Sequence, residues 1–146
     1  MNITLNDKDF PVVVVTCENV CCDDDLQKLK QYWIDLYDRK ENFTFIFFFE
    51  NVKGLSLNTG YKVSKIIAEV KKLPIQYLKK TIIVFKDNMI VDICRLIMSI
   101  QKPISQVFLL NTKKNDIKNC IKEILLGNIP DEKIPIFNSC FMDLKK

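Results

Sequence analysis

The side chains best suited to chemistry in this sequence are cysteines and one cluster of aspartates. The chain contains six cysteines but no histidine, so neither a Ser-His-Asp triad nor a Cys-His pair can form. The cysteines have no paired Cys-x-x-Cys spacing, which argues against structural zinc. Asp23, Asp24 and Asp25 are consecutive instead of spaced to converge on a substrate. We therefore predict no catalytic residue, no metal and no cofactor, while carboxylate or lysine catalysis stays an open alternative.

The neighbours of these residues predict structural roles for them. Cys94 and Cys120 recur with apolar residues at helical spacing, where a free thiol packs as a small hydrophobe. Cys17, Cys21 and Cys22 are predicted to be loop cysteines without special chemistry. The adjacent aspartates are typical of a helix start, where carboxylates accept hydrogen bonds from free amides and oppose the helix dipole. Asp23 or Asp24 is accordingly the predicted N-cap of the first helix.

Charge is unevenly distributed along the chain, although the net charge is only +4. Residues 1–25 carry six acidic side chains against one lysine, whereas residues 53–80 carry seven lysines against one glutamate. Clustered lysines can bind an anionic surface such as phospholipid headgroups, and a solvated helix face is the simpler explanation. No aromatic or recognition-helix motif for specific nucleic-acid binding accompanies them. The candidate surface-binding lysines are Lys53, Lys62, Lys65, Lys79 and Lys80.

Apolar runs alternate with helical periodicity along the chain. Runs of β-branched and aromatic residues predict strands at residues 12–16, 43–49, 81–85 and 106–110, with short edge strands at 3–5 and within 134–141. Four helices are predicted to follow the four main strands. The second is capped by Asn58 or Thr59 and ended by Pro74, the third runs from Met89 to Gln101, and the fourth extends from Thr112 to Gly127. This order predicts one α/β domain over residues 1–146, with a mostly parallel central sheet and helices packed around it.

The third predicted helix is unusually apolar. Its sequence from Met89 to Ile100 is MIVDICRLIMSI, and its polar residues form one narrow stripe of Asp92, Arg95 and Ser99. Such a helix is either buried on most sides or offers an apolar surface to a ligand or partner. The first interpretation covers it with the carboxyl-terminal tail around Ile136, Phe137 and Phe141.

Two loops carry a family resemblance. The strand FTFIFFFE ends in Glu50 and is followed by Gly54-Leu55-Ser56, and the run Leu73-Pro74-Ile75-Gln76-Tyr77-Leu78-Lys79-Lys80 precedes the next strand. Over about residues 11–112 the chain resembles the CRAL-TRIO lipid-exchange family, although Glu50 stands where that family has Asp and Leu73 where it has Tyr. In that family the next helix is the apolar gate of a lipid pocket, followed by a proline-containing turn, as Lys102-Pro103-Ile104-Ser105 is here. The ligand-binding residues that the resemblance implies are Phe45, Phe47, Phe49, Ile90, Ile93 and Ile97.

A second resemblance concerns the start of the second predicted helix. Asn58-Thr59-Gly60 is similar to the Asp-Ser-x-Gly motif of STAS domains, in which the hydroxyl is phosphorylated. This resemblance implies a protein-interaction module with Asn58 and Thr59 as a regulatory site. Capping of the helix by Thr59 is the alternative.

Together these patterns predict a STAS/CRAL-TRIO-like, non-catalytic binding module. Its expected partner is a hydrophobic small molecule, phospholipid headgroups or a protein, a second copy of the chain included; an unrecognised enzyme is the third alternative. No apolar run approaches the roughly 20 residues that span a bilayer. The first nine residues lack the basic flank and apolar core of a secretory signal. We therefore expect a soluble, cytoplasmic protein.

Overall fold

The computed structural model describes residues 2–20, 22–53, 56–128 and 135–137, which contain six strands and four helices. The strands are β1 (Asn2–Asn6), β2 (Val12–Val20), β3 (Phe43–Lys53), β4 (Leu78–Phe85), β5 (Gln106–Asn111) and β6 (Ile136–Phe137). The helices are α1 (Asp23–Tyr37), α2 (Leu57–Lys71), α3 (Met89–Ile100) and α4 (Ile117–Leu125). All four main predicted strands and all four predicted helices are confirmed.

The strands form one sheet in which their spatial order equals their order in the chain. β2 to β5 are parallel. β1 pairs with β2 and β6 pairs with β5, both antiparallel, at the two edges. The predicted α/β class with a mostly parallel sheet is therefore confirmed, as is the edge strand at residues 3–5. Of the predicted edge strand within 134–141, the structure describes only β6 and the residue before it.

The helices are divided unequally between the two faces of the sheet. Side chains of α1, α2 and α3 share one buried cluster with Val13, Val15 and Phe45 of the sheet. α4 covers the opposite face, where Cys120 and Ile124 pack with neighbouring strands β3, β4 and β5. Right-handed crossovers between consecutive neighbouring strands place every connecting helix on the same face. Only α4, which follows the last parallel strand, is free to cover the other face.

Phenylalanines of β3 form a continuous row beneath α1 and the other helices. The ring centroids of Phe43 and Phe45 lie 5.1 Å apart, those of Phe45 and Phe47 5.1 Å, and those of Phe47 and Phe49 6.3 Å. Trp33 of α1 packs edge-on against Phe45 at 5.4 Å. Phe43 and Phe45 are fully buried, whereas Phe47 and Phe49 are half-buried. The row is therefore tightly packed at the amino end of β3 and more open toward its carboxyl end.

The N-cap predicted for α1 is wrong, because the helix begins one residue earlier. Cys22 is the N-cap, with extended backbone angles, and Asp23 is the first helical residue. The Asp25 carboxylate accepts hydrogen bonds from the Cys22 amide at 3.2 Å and from its thiol at 3.0 Å. Burial works to raise the pKa of Asp25, but these hydrogen bonds hold the pKa below its usual value.

The N-caps predicted for α2 and α4 are also wrong. Ser56 caps α2, and its hydroxyl accepts from the Thr59 amide at 3.3 Å. Asp116 caps α4 and accepts from the Asn119 amide at 3.4 Å. In each case the cap is the last extended residue before the helix, which periodicity alone does not locate. The predicted end of α4 is confirmed, since Gly127 follows it in the left-handed region at φ +91°.

Of the tail residues predicted to cover α3, the structure describes the side chain of Ile136 alone, because the side chain of Phe137 lies outside it. Ile136 pairs with Phe108 and packs in the cluster beneath α4, on the opposite face of the sheet from α3. α3 instead packs against α2 and the sheet, and Phe141 lies outside the described residues. None of the four helices in the described part of the chain has the length and apolar character needed to cross a membrane.

Candidate ligand-binding cavity

An apolar cavity of about 150 Å³ lies between the sheet and the three helices on its first face. Its floor is formed by side chains of β2, β3, β4 and β5, and its walls and roof by α1, α2 and α3. The floor residues include Cys17, Phe47, Phe49, Thr81, Ile83 and Val107. The helical residues include Leu26, Leu29, Trp33, Thr59, Val63, Ile67, Ile90, Ile93, Cys94, Ile97 and Met98. A space with such a lining favours hydrocarbon over water.

Gly60 sets the distance between the two helices that roof the cavity. A Cβ atom at Gly60 would lie 3.2 Å from Leu96 Cδ2 and 3.5 Å from both Ile93 Cγ2 and Ile97 Cγ1. The absence of a side chain thus lets α2 approach α3 closely. Ile93 and Ile97 are held between α2 and the sheet, where both line the cavity.

Five of the six predicted ligand-binding residues line this cavity, namely Phe47, Phe49, Ile90, Ile93 and Ile97. The sixth, Phe45, does not line it, because it is fully buried beneath the Trp33 indole. Sequence reasoning missed the contribution of α1, whose apolar stripe predicts packing on the sheet but not which part of the stripe faces open space. Leu26, Leu29 and Trp33 are the cavity residues that α1 supplies.

Burial suppresses the reactivity of the Cys94 thiol in the cavity wall. Burial raises the pKa of the Cys94 thiol to about 12, so it is neutral at ordinary pH. Cys17 was predicted to lie in a loop, but it is a buried residue of β2 and lines the cavity as well. Cys22 is exposed at the N-cap of α1, and Cys21 lies outside the described residues. Cys94 and Cys120 are buried in helices, as predicted.

Few polar groups reach the cavity. Thr81 and Ser105 line its end near the amino termini of β4 and β5, and their hydroxyl oxygens are 3.1 Å apart. Trp33 Nε1 is buried and finds no acceptor in hydrogen-bond geometry among the described residues. The neighbouring Tyr37 hydroxyl instead donates to Gln76 Oε1 at 2.6 Å. Burial raises the pKa of Tyr37, and the nearby indole of Trp33 opposes that rise.

The predicted regulatory residues lie at the start of α2. Asn58 is exposed, whereas Thr59 is half-buried and lines the cavity. The Thr59 hydroxyl is 3.4 Å from the Ser56 hydroxyl. Because Ser56 is the cap, Thr59 contributes its amide to the capping bond, and its hydroxyl also contacts the Ser56 hydroxyl.

The predicted surface-binding lysines do not form one surface. Lys62 of α2 pairs with Asp23 of α1, and Lys65 lies over the Tyr61 ring at 4.6 Å. Lys80 extends to the opposite face of the sheet, where its Nζ donates to the Ile124 carbonyl at 2.7 Å. Lys79 Nζ donates to the Gln76 carbonyl at 3.0 Å, and the side chain of Lys53 lies outside the described structure. Lys62 and Lys80 therefore cannot face one membrane together.

Elsewhere in the described ranges, no three His, Cys, Asp or Glu side chains are grouped so that they could hold a metal ion. Comparison of the chain with models of known protein families, with curated proteins and with solved structures yields no match. The resemblance to CRAL-TRIO and STAS domains therefore stays a prediction from loop motifs.

Proposed function

We propose that this protein is a non-catalytic binding module that resembles CRAL-TRIO domains and holds a hydrophobic small molecule between its sheet and its helices. The observation that carries the proposal is the apolar cavity itself. Its lining combines Phe47 and Phe49 of β3 with Ile90, Ile93 and Ile97 of α3. Because α3 forms one wall of the cavity, it is apolar on more than one side.

The size of the cavity narrows the class of ligand. Pockets for drug-sized ligands span roughly 300 to 1,000 Å³, and this cavity is about 150 Å³. An engineered, enclosed apolar cavity of about 150 Å³ binds benzene or xenon, and the cavity here has that volume but is partly open to solvent. A molecule of one ring or a short hydrocarbon therefore fits without any movement, whereas a whole phospholipid would require α2 and α3 to separate. The dispersion of the lysines also weighs against a phospholipid surface as the main partner.

Titration of the purified protein with benzene tests this proposal. Binding at a concentration of about 100 times its Kd would add about 2.7 kcal/mol to the free energy of unfolding, which thermal denaturation measures directly. Cys94→Leu places extra side-chain volume in the cavity wall and should abolish the benzene-dependent shift. Cys120→Leu is the matched control, because the same side chain enters at an equally buried position on α4, away from the cavity, and it should keep the shift.

Native mass spectrometry of freshly purified protein complements the titration, since a co-purifying apolar molecule would be detected as added mass. A wild-type protein whose melting temperature is unaffected by benzene, and which carries no added mass, would contradict the proposal.

The alternative is a STAS-type protein-interaction module with Thr59 as a regulatory residue. Leu57 and Tyr61 favour it, because both are exposed large side chains one turn apart on α2, 69% and 48% accessible, and they flank Thr59. Incubation with kinase-containing cell extract and mapping of the phosphorylated residues by mass spectrometry tests this alternative. Modification of exposed hydroxyls such as Ser99 with none at Thr59 would count against it.

A further inference from the structure

Two hydroxyl groups meet at the end of the cavity near the amino termini of β4 and β5. Thr81 belongs to β4 and Ser105 immediately precedes β5. Both side chains are buried, 8% and 5% accessible, and both line the cavity. Their oxygen atoms are 3.1 Å apart. Only a small part of the cavity surface is polar, and this end is where two hydroxyl oxygens adjoin the otherwise hydrocarbon lining.

The direction of the hydrogen bonds follows from counting protons. A serine hydroxyl has one proton, and Ser105 Oγ donates to the Gln106 carbonyl at 3.2 Å. We therefore assign the bond between the two hydroxyls to the Thr81 proton, with Ser105 Oγ as acceptor, because the single Ser105 proton is engaged by the Gln106 carbonyl. Both protons are engaged, while Thr81 Oγ1 keeps two lone pairs and Ser105 Oγ keeps one. The pair can accept a hydrogen bond from a ligand but has no proton to donate.

Such an end discriminates among ligands of equal size. A ligand carbonyl or ether oxygen would meet acceptor oxygens and stay unsatisfied, whereas a ligand O–H or N–H group would be satisfied. This inference rests on the proposed function. We propose that the cavity selects a compact apolar molecule that carries one hydrogen-bond donor, such as a phenol, and that Thr81 and Ser105 accept the hydrogen bond from that donor.

The decisive experiment compares phenol with toluene, which differ by a hydroxyl in place of a methyl group. The wild-type protein should bind phenol at least as tightly as toluene, because the hydroxyl is satisfied inside the cavity. The double variant Thr81→Val, Ser105→Ala removes both oxygens together, so neither hydroxyl is left without the other, and only the Gln106 carbonyl loses the Ser105 donor. In this variant phenol should bind about tenfold or more weaker, since a buried unsatisfied hydroxyl is costly, while the Kd of toluene should change less than about threefold.

The single variant Ser105→Ala gives an independent result. It frees the Thr81 proton, so the cavity end gains a hydrogen-bond donor besides its acceptor lone pairs, and benzaldehyde, an acceptor of similar size, should bind more tightly than it does to the wild type. An unchanged Kd for benzaldehyde would contradict the assigned direction of the hydrogen bonds.

The outcomes separate this inference from the function on which it rests. Toluene binding together with a phenol Kd that is the same in wild type and double variant would overturn the role of the hydroxyl pair and leave the cavity as a binding site. Failure of the wild type to bind either compound would overturn the proposed function and this inference with it.

Discussion

Cys94→Leu and Cys120→Leu form a matched pair of substitutions whose effects on stability should have opposite signs. Both cysteines are buried residues of helices, 5% and 6% accessible. Cys94 borders the cavity between the sheet and α3, whereas Cys120 packs in the cluster between α4 and the sheet. The same added volume therefore enters open space at one position and a filled core at the other.

The expected magnitudes follow from this difference. Leucine extends about two carbons beyond cysteine, and burial of each CH₂ group contributes about 0.8 kcal/mol, so Cys94→Leu should stabilise the fold by about 1.6 kcal/mol. An upper limit follows from the cavity volume of about 150 Å³, because filling all of it at about 24 cal/mol per Å³ would add about 3.6 kcal/mol. At Cys120, overpacking should cost about 1 to 3 kcal/mol.

Urea denaturation followed by the fluorescence of Trp33 measures both free energies of unfolding, and an unchanged m-value confirms that only stability has changed. The neutral Cys94 thiol, with its pKa near 12, ensures that no ionised group is lost in the exchange. Cys94→Ala and Cys120→Ala control for removal of the thiols themselves. Equal destabilisation by the two leucine variants would refute the reasoning, because it would mean that the space beside Cys94 cannot accept a side chain.

Three further predictions concern the elements around the cavity. Gly60→Ala should change the free energy of unfolding by less than about 1 kcal/mol, because the gain in helix propensity offsets the small shift that the flexible end of Leu96 must make. Gly60→Val should lower the free energy of unfolding by about 1 to 3 kcal/mol, because the larger side chain forces α2 and α3 apart. Thermal denaturation measures both variants, and equal melting temperatures for the two would contradict this prediction. Lys80→Gln should lose about 0.5 to 1.5 kcal/mol because the Ile124 carbonyl loses the Lys80 donor and keeps only backbone donors such as the Gly127 amide. Lys79→Gln, at an exposed position, should change urea-measured stability less, and the reverse order would show that the bond from Lys80 to α4 does not stabilise the fold. Asp25 has a folded-state pKa below 3.8, so its stabilisation should be present above the unfolded-state pKa and lost as the pH falls through the lower, folded-state pKa. The difference in urea midpoint between wild type and Asp25→Asn should therefore shrink steadily below pH 4, and a difference that is constant with pH would rule out the charge of Asp25 as its cause.

Local sequence patterns were sufficient to predict the main helices and strands and their order along the chain. The β-branched run at Val12 to Thr16 and the phenylalanines of β3 predict strands because their period and shape suit a pleated, buried surface. Alternation with four helical patterns then implies parallel strands, since each crossover helix returns the chain to the same end of the sheet. Five of the six residues that the CRAL-TRIO resemblance implied as ligand-binding line the cavity, and they lie on β3 and α3, two elements whose apolar character the sequence itself shows.

The tertiary structure decided everything that depends on distance across the fold. Lys79 and Lys80 are neighbours in sequence, yet strand alternation sends them in different directions, and Lys80 reaches a helix that lies 44 residues further along the chain. The N-caps were misplaced by one to four residues, because the cap is set by where the backbone leaves its extended conformation. The volume and outline of the cavity could not be predicted, because the cavity is the small space that remains after large side chains from β2 to β5 and from α1, α2 and α3 are packed together. Such a remainder depends on helix positions to within a fraction of an ångström, and those positions are set jointly by contacts such as Gly60 against Leu96, not by any single stretch of sequence.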